Sequence, residues 1–257
     1  MRETVAIDCC AEALGRFSRG YAIVVVDVIR ATTSAVTALA GGRKCFVVSS
    51  VEAAFRQAGS LERPLLAGEL AGVMPLGFDL NNSPAELALL GDVARPVILL
   101  SSSGTRLMCE AARCEAAYVA CLRNYAAMAG YLMRSQGKVA VIGAQTREQF
   151  RKEDQLCCAW IARELMNAGY RAEDRKTEQL VQRWGNASPD ACLNGNSAAF
   201  LRRSGQTKDL DFIFGHINDV DAVFSMQGNE ITKAPPRPSW ELPLEDPATR
   251  DNRPVAL

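Results

Sequence analysis

The chain has 257 residues, of which 48% are apolar, and its 29 basic and 29 acidic side chains balance at pH 7. This length suffices for one sizeable core or two small domains. The charge balance provides no basic field for a nucleic acid backbone or an anionic membrane surface. No apolar stretch approaches the roughly 20 residues needed to cross a bilayer. We therefore expect a protein that is not embedded in a membrane and that holds any anionic ligand by a local arrangement of residues.

Short apolar runs alternate with helical patterns along most of the chain. The predicted strands are 21–29, 44–48, 63–68, 95–101, 116–121, 138–143 and 221–226. The predicted helices are 32–40, 51–58, 83–90, 105–113, 124–136 and 153–168. This alternation predicts an α/β fold, and strands that are apolar on both faces predict a three-layer sandwich around a largely parallel or mixed central sheet.

The pattern changes in the last third of the chain. Residues 171–220 contain polar, less periodic helical pieces, and we expect a smaller helical region there that caps the sheet. Residues 235–257 are rich in proline and charge, which is typical of an extended tail. We therefore divide the chain into a folded domain, 1–234, and a tail, 235–257. A compact enzyme with such a tail is compatible with a symmetric homodimer.

The nine cysteines include no CxxC pair, and no secretory signal precedes them. We interpret them as reduced thiols of a cytoplasmic protein, several of them small core residues. His216 is the only histidine, which excludes a site built on a histidine pair and favours a structural role for this residue.

Polar clusters follow the predicted strands at the points where the strands end. They occupy residues 27–34, 68–69, 101–105 and 143–154. Ligands of open α/β sheets bind outside the carboxyl ends of the strands, so we expect these clusters to meet in one crevice. Asp27 and Arg30 raise the clearest question, because charges at the end of a buried strand need partners. Arg30 could bind a phosphoryl group while Asp27 faces a metal ion, or the two could form an internal salt bridge.

Two further segments could bind an anion or a cation. Residues 101–105 offer hydroxyls and backbone N–H groups at a helix start, which suits phosphate, although an ordinary turn has the same composition. Glu69 and Asp79 could supply oxygen ligands to Mg²⁺. The residues 81–84 between them and the next helix also fit an N-cap followed by a proline in the first turn. Glu153 and Asp154 suit a helix start through the helix dipole alone.

Four motifs in order resemble the 2-phosphosulfolactate phosphatase family, the ComB-like proteins of coenzyme M biosynthesis. They are DVIRATT at 27–33, GELAG with GFDLNNSP at 68–84, SSSGTR at 101–106 and EDQLCCAWIARELM at 153–166. The resemblance identifies residues 1–234 as a ComB-like phosphatase domain. It implies Mg²⁺-dependent hydrolysis of the phosphate monoester of a small 2-hydroxy acid, 2-phosphosulfolactate or a close analogue.

Site roles follow from the resemblance position by position. The implied catalytic residues are Asp27, Arg30, Asp79 and Asp154. The implied phosphate-binding residues are Thr32, Thr33, Asn82, Ser83, Ser101, Ser102, Ser103, Gly104 and Thr105. The implied Mg²⁺ ligands are Asp27, Glu69 and Asp79. Attack by water and formation of an aspartyl phosphate on Asp27 are both open at this stage.

The chain departs from the family pattern within the expected crevice. Asn81 stands where the family tends to have glycine, Ser103 where it has asparagine, and 145–147 where an acidic, glycine-containing turn is usual. Arg147, Arg151 and Lys152 make this loop basic, which favours a substrate anion different from, or larger than, sulfonate. Two alternatives follow: a homologue that binds a phosphorylated or carboxylated metabolite without turnover, and a natural-product enzyme for another phosphorylated acid.

Overall fold

Every apolar run predicted as a strand lies in one ten-stranded sheet of the computed structural model, which describes residues 3–146 and 149–235. The strands of this sheet are β1 (Thr4–Cys9), β2 (Ala22–Val26), β3 (Cys45–Val48), β4 (Leu65–Gly68), β5 (Val97–Leu100), β6 (Ala116–Ala120), β7 (Lys138–Gly143), β10 (Arg171–Ala172), β11 (Phe224–Gln227) and β12 (Glu230–Lys233). A separate hairpin consists of β8 (Gln145–Thr146) and β9 (Gln149–Phe150). The sequence patterns did not indicate β1, β10 and β12.

The six predicted helices are also present, with boundaries shifted by up to two residues. The helices are α1 (Leu14–Phe17), α2 (Ala31–Ala40), α3 (Val51–Ala58), α4 (Pro84–Leu89), α5 (Gly104–Ala111), α6 (Tyr125–Ser135), α7 (Lys152–Asn167), α8 (Arg175–Trp184), α9 (Asn196–Arg203) and α10 (Thr207–Gly215). A 3₁₀ turn spans Pro189–Cys192. Ser83 caps α4 through its side chain, and Pro84 follows in the first turn, as the sequence predicted.

The sheet consists of two parallel blocks joined by an antiparallel hairpin. Its strand order is β10-β1-β7-β2-β6-β11-β12-β3-β5-β4. The strands from β10 to β6 are parallel, as are β3, β5 and β4. The hairpin of β11 and β12 is antiparallel to β6 on one side and to β3 on the other. The two blocks therefore run in opposite senses, so the sheet is mixed.

Alternate side chains of the strands enter different cores, which confirms the three layers. In β2, Ile23 and Val25 belong to one buried cluster, whereas Val24 and Val26 belong to another. Helices α2 and α5 cover the first of these faces, and α6 and α7 cover the second. Both faces of the central strands are thus removed from water, as their continuous apolar sequence requires.

One helical layer is shared by both blocks, and this places two strand ends together. Val47 of β3 and Leu99 of β5 belong to the same buried cluster as the helices α2 and α5. Helix α2 begins after β2, and α5 begins after β5, so their first turns meet within this layer. The carboxyl ends of β2 and β5 therefore face each other although their blocks run in opposite senses.

The helices of the region expected at 171–220 pack in two separate places. Helix α8 packs on α7 and β1, where Trp184 Nε1 donates to Gln155 Oε1 at 2.9 Å. Helices α9 and α10 pack on each other, and α10 packs on α4 beside the strand ends. Residues 236–257, most of the predicted tail, lie outside the described residues. None of the helices in the described ranges combines the length and the apolar character that a bilayer crossing demands.

Candidate active site

A cleft of about 570 Å³ opens where the ends of β2, β4 and β5 meet the helix α9. Its lining includes carboxylates, hydroxyls and guanidinium groups from four of the regions that the sequence singled out. The lining residues used below are Asp27, Arg30, Glu69, Gly72, Asn82, Ser101, Ser102, Ser103, Gln149, Arg151, Asn196, Ser197, Phe200 and Arg203. The predicted convergence of strand-end clusters on one crevice is therefore confirmed.

Asp27 follows β2 directly and is held in a closed turn. Its backbone N–H donates to Thr32 Oγ1 at 2.9 Å, and that hydroxyl donates to the Asp27 carbonyl at 2.8 Å. Burial raises the pKa of the Asp27 carboxyl to about 7, and the negative charge of Glu69 acts in the same direction. A carboxyl that is buried beside another carboxylate favours its neutral form unless a cation is bound close by.

Gly104 allows α5 to begin against this carboxylate. A Cβ atom placed on Gly104 would lie 2.1 Å from Asp27 Oδ2 and 2.6 Å from the Ala31 Cβ. Real Cβ atoms do not approach other atoms this closely, so only glycine fits here. The Gly104 position thus brings the first turn of α5 into contact with the turn that carries Asp27.

Glu69 is fixed by hydrogen bonds that come from two loops. Oε1 accepts from the Ser102 backbone N–H at 2.8 Å, and Oε2 accepts from Ser102 Oγ at 3.0 Å and from the Gly72 N–H at 2.6 Å. Gly72 has a φ of +86°, and a Cβ there would meet the Phe200 ring at 2.4 Å. The loop after β4 is therefore folded back onto Glu69 and lies against α9.

Glu153 and Asp154 lie behind Asp27, at the start of α7. The Asp154 Oδ1 accepts a hydrogen bond from the Val28 backbone N–H at 2.7 Å, which supports the Asp27 turn. Both Glu153 oxygens are buried without a hydrogen-bond partner. Burial raises the pKa values of both carboxyls. At Asp154, the negative charges of Asp27 and Glu153 raise the pKa further. Neither acid is among the residues that line the cleft, and Asp154, which was predicted as catalytic, contacts the turn that carries Asp27.

Arg30 is nine-tenths buried and is held at three points. Its Nη1 donates to Asp209 Oδ2 at 2.5 Å and to Gln206 Oε1 at 2.6 Å, and its Nη2 donates to Asn81 Oδ1 at 3.1 Å. The partner that closes the ion pair is thus Asp209 of α10 and not Asp27. The internal salt bridge between Asp27 and Arg30 that the sequence left open is therefore not formed; Arg30 pairs with Asp209 and also lines the cleft.

Several predicted phosphate-binding hydroxyls bond to the backbone instead. Thr33 Oγ1 donates to the Val28 carbonyl at 2.8 Å. Thr105 Oγ1 accepts from the Ser101 N–H at 2.8 Å, and the Thr105 N–H donates to Ser101 Oγ at 3.0 Å. The backbone donors of Ser101, Ser102 and Thr105 are therefore occupied within the protein. Thr32, Thr33 and Thr105 are also absent from the cleft lining, because these hydroxyls close the turns that carry the lining residues.

The structure does not bring Asp79 or Ser83 into the cleft lining. Asp79 Oδ2 accepts from the Leu66 backbone N–H at 2.8 Å, and its other oxygen lies 3.9 Å from Arg95 Nη2. Ser83 Oγ donates to Asp209 Oδ1 at 2.6 Å and caps α4. Asn82, by contrast, does line the cleft, and its Oδ1 is buried without a partner.

A second wall of the cleft is basic and comes from α9, from Gln149 of β9 and from Arg151, which precedes α7. Arg151 and Arg203 line it, together with Asn196, whose Nδ2 donates to Gln149 Oε1 at 2.9 Å. Arg151 Nη1 donates to the same Gln149 oxygen at 2.9 Å. Of the basic residues predicted here, Lys152 is exposed outside the lining and Arg147 lies outside the described residues.

A family model for 2-phosphosulpholactate phosphatase matches residues 12–229. The chain belongs to the 2-phosphosulpholactate phosphatase family. Three similar relatives all carry the name probable 2-phosphosulfolactate phosphatase. The relative from Clostridium perfringens (strain SM101 / Type A) is 30% identical over 220 residues, which cover 83% of this chain and 89% of the relative. The relative from Symbiobacterium thermophilum is 33% identical, covering 75% and 86% respectively, and that from Deinococcus radiodurans 31%, covering 74% and 81%.

Membership of this phosphatase family makes the chain an enzyme of the phosphoric monoester hydrolase class with a small phosphorylated substrate. The thiols take no part in the cleft lining. Cys157 and Cys158 are buried, and burial raises their pKa values well above the ordinary value, which disfavours the thiolate. His216 lies outside the lining and stacks on Phe212.

Whether this cleft suits a Mg²⁺ ion depends on its two carboxylates, Asp27 and Glu69. Within residues 3–146 and 149–235, no group of three or more His, Cys, Asp or Glu side chains is placed to share a metal ion. Mg²⁺ commonly takes one or two carboxylates and completes its shell with water and substrate phosphate. Asp27 and Glu69 both line the cleft, and their mutual repulsion raises the Asp27 pKa. These two residues are the pair that a cation would stabilise.

Sequence reasoning missed the residues that α9 contributes to the cleft and the acidic partner of Arg30. Asn196, Ser197, Phe200 and Arg203 lie in a helical piece without a recognisable motif, and their role depends on α9 reaching the strand ends. Asp209 carried a usable signal. It is an acid that precedes the largely apolar segment 210–214, and a charge buried there needs a partner for the same reason as Asp27.

Proposed function

We propose that this phosphatase hydrolyses the phosphate monoester of a small 2-hydroxy acid, 2-phosphosulfolactate or a close analogue, and that it uses Mg²⁺. The observation that carries this proposal is that two carboxylates, Asp27 and Glu69, line the same cleft as the buried guanidinium of Arg30. Acids that hold a cation and a fixed guanidinium are the groups that neutralise a phosphoryl group during transfer.

Arg30 and Asn82 form the phosphoryl subsite in this proposal. The Arg30 guanidinium has a fixed orientation because three protein acceptors hold it. The Asn82 side chain adds a polar amide from the start of the α4 segment. Fixed donors stabilise developing charge more effectively than mobile ones, since no reorganisation is needed as the charge forms.

Asp27 and Glu69 would hold the Mg²⁺ ion, which when bound polarises a phosphoryl oxygen and lowers the pKa of water. Glu69 is oriented for this by Ser102 and Gly72. Asp154 supports the Asp27 turn from behind through the Val28 N–H. Asp79 is left out of the proposed ligand set because its carboxylate bonds Leu66 outside the cleft lining.

Arg151 and Arg203 would bind the acid group of the substrate. They lie on the second, basic wall of the cleft, whereas Asp27 and Glu69 follow the strands β2 and β4. A guanidinium forms two parallel hydrogen bonds with a carboxylate or a sulfonate. A cleft of about 570 Å³ is also large enough for a small phosphorylated hydroxy acid. These features support a substrate that carries an acid group in addition to its phosphate.

The test is phosphate release from phosphosulfolactate, phospholactate and phosphoglycerate, with Mg²⁺ and with a chelator. We expect release that requires Mg²⁺ and falls by about 10³-fold in Asp27→Asn, the magnitude typical of losing one electrostatic group in an active site. Asp79→Asn is the matched comparison, because it makes the same change at a carboxylate outside the cleft lining and should retain most of the activity.

Two outcomes would contradict the proposal. Release that is equal with the chelator and with Mg²⁺ would remove the metal from it. Absence of release from every ester, by a protein that still binds one of them, would favour the binding homologue. If Asp79→Asn instead loses activity as Asp27→Asn does, then Asp79 belongs to the ligand set.

A further inference from the structure

Arg30 and Asp209 form an ion pair between distant parts of the chain. Arg30 follows β2 at the floor of the cleft, whereas Asp209 lies in the first turn of α10. The two side chains are 4% and 3% exposed, and Nη1 lies 2.5 Å from Oδ2. At this burial both charges have lost most of their contact with water, so each depends on the other.

Asp209 also binds the segment on the other side of Arg30. Its Oδ1 accepts from Ser83 Oγ at 2.6 Å and from the Ala85 backbone N–H at 3.2 Å. Its two oxygens thus join the guanidinium to the start of α4. Asn82, which lines the cleft, lies in this same segment. One carboxylate therefore fixes both members of the proposed phosphoryl subsite.

The other partners of Arg30 are neutral. Gln206 and Asn81 accept through amide oxygens, at 2.6 and 3.1 Å. An ionised acceptor forms a stronger bond with a guanidinium than a neutral amide does. The orientation of Arg30 should therefore depend more on Asp209 than on Gln206 or Asn81.

We propose that Asp209 is a positioning residue, which holds the Arg30 guanidinium in the orientation that receives the phosphoryl group. This inference rests on the proposed function, because it assumes that Arg30 binds the phosphoryl oxygens. It assigns to the C-terminal helical region an indirect effect on phosphate affinity, exerted through Arg30 by a residue that does not touch the substrate.

The test compares binding of inorganic phosphate, measured by calorimetry in the presence of Mg²⁺, in single and double variants. Asp209→Asn keeps an acceptor for Ser83 and Ala85 but removes the charge that faces Arg30. We expect phosphate affinity to fall about 10-fold in Asp209→Asn and by up to about 100-fold in Arg30→Met, the range expected for losing bonds to a charged group. The double variant Arg30→Met with Asp209→Leu contains neither buried charge, so it should fold.

If Asp209 acts through Arg30, the double variant should bind phosphate as Arg30→Met does, within a factor of about two. A further loss in the double variant would overturn the proposal, because Asp209 would then act independently of Arg30. Unchanged phosphate affinity in Asp209→Asn, together with a loss in Arg30→Met, would also overturn it. An Arg30→Met variant that binds phosphate like the wild type would contradict the proposed phosphoryl subsite itself.

Asp219→Asn provides the matched control. Asp219 Oδ2 lies 2.7 Å from Arg123 Nη2, so this variant also removes an aspartate from an arginine pair. Neither residue of that pair lines the cleft. Its melting temperature should fall while phosphate affinity stays the same, which separates a general loss of stability from a loss of positioning.

Discussion

The two walls of the cleft differ in how firmly the protein holds their charged groups. On the sheet side, Asp27 and Glu69 follow strand ends and are fixed by short turns. On the helical side, Arg203 is exposed and Arg151 is half-buried. Under the proposed function, the firmly held wall would act on the phosphoryl group and the more open wall would select the rest of the substrate. Substitutions on the two walls should therefore have different kinetic effects.

Among substitutions outside the proposed metal ligands, the largest effect should come from Gly104→Ala, which disturbs the rigid wall directly. The added methyl group would overlap Asp27 Oδ2, so either the carboxylate or the start of α5 must move. We expect kcat to fall by about 10²-fold or more, because small displacements of reacting groups are costly in rate.

Gly15→Ala is the matched control for this prediction, since a Cβ at Gly15 meets no atom within 4 Å. Circular dichroism and thermal unfolding would show whether the Gly104 variant is folded. A folded Gly104→Ala with wild-type kcat would refute the close contact between α5 and Asp27.

A smaller and different effect is expected on the open wall, from Arg203→Ala. The KM for a phosphorylated hydroxy acid should rise about 10-fold, the value of one charge-assisted contact. The KM for phenyl phosphate, which has no acid group besides its phosphate, should not change. Arg202→Ala is the control, because this neighbouring arginine bonds the Leu193 carbonyl and does not line the cleft. Equal changes in KM for both substrates would remove Arg203 from the selection of the acid group.

The smallest effect concerns stability and comes from Glu153→Gln, behind the rigid wall. Burial raises the Glu153 pKa in the folded state, so the folded protein binds its proton more tightly than the unfolded chain does. This contribution to stability is complete below the unfolded pKa of about 4.3, and it is lost as pH rises through the folded value. Without metal, the wild type should therefore lose stability as pH rises above the unfolded pKa of Glu153, about 4.3.

Glu153→Gln cannot lose this contribution, so it should gain stability relative to the wild type as pH rises, by at most about 1.4 kcal/mol per pH unit. Urea unfolding with a chelator present would measure the difference. Glu52→Gln is the control, because backbone hydrogen bonding lowers the Glu52 pKa and gives no such gain. If the free energy of unfolding changes with pH in the same way for Glu153→Gln and the wild type, the pKa of Glu153 is not raised in the folded state.

Much of the fold could be predicted because its signals are local. The strand β2 is five consecutive buried residues, and the start of α4 is set by Ser83 and Pro84, so neighbouring residues are sufficient to indicate both. The short strand β10 and the second hairpin strand β12 were not indicated, because they depend on pairing with residues that are distant in the sequence.

The sequence by itself determined which loops carry the site. Asp27, Arg30, Glu69 and the serines at 101–103 were found there because buried charges and polar strand ends are costly without a purpose. Only the tertiary structure decided which of these groups face the cleft. Thr32, Thr33 and Thr105 use their hydroxyls to close turns, and Asp79 bonds Leu66, choices that no single motif specifies. The pairing of Arg30 with Asp209 also required the folded chain, since 178 residues separate two side chains that need each other only once both are buried.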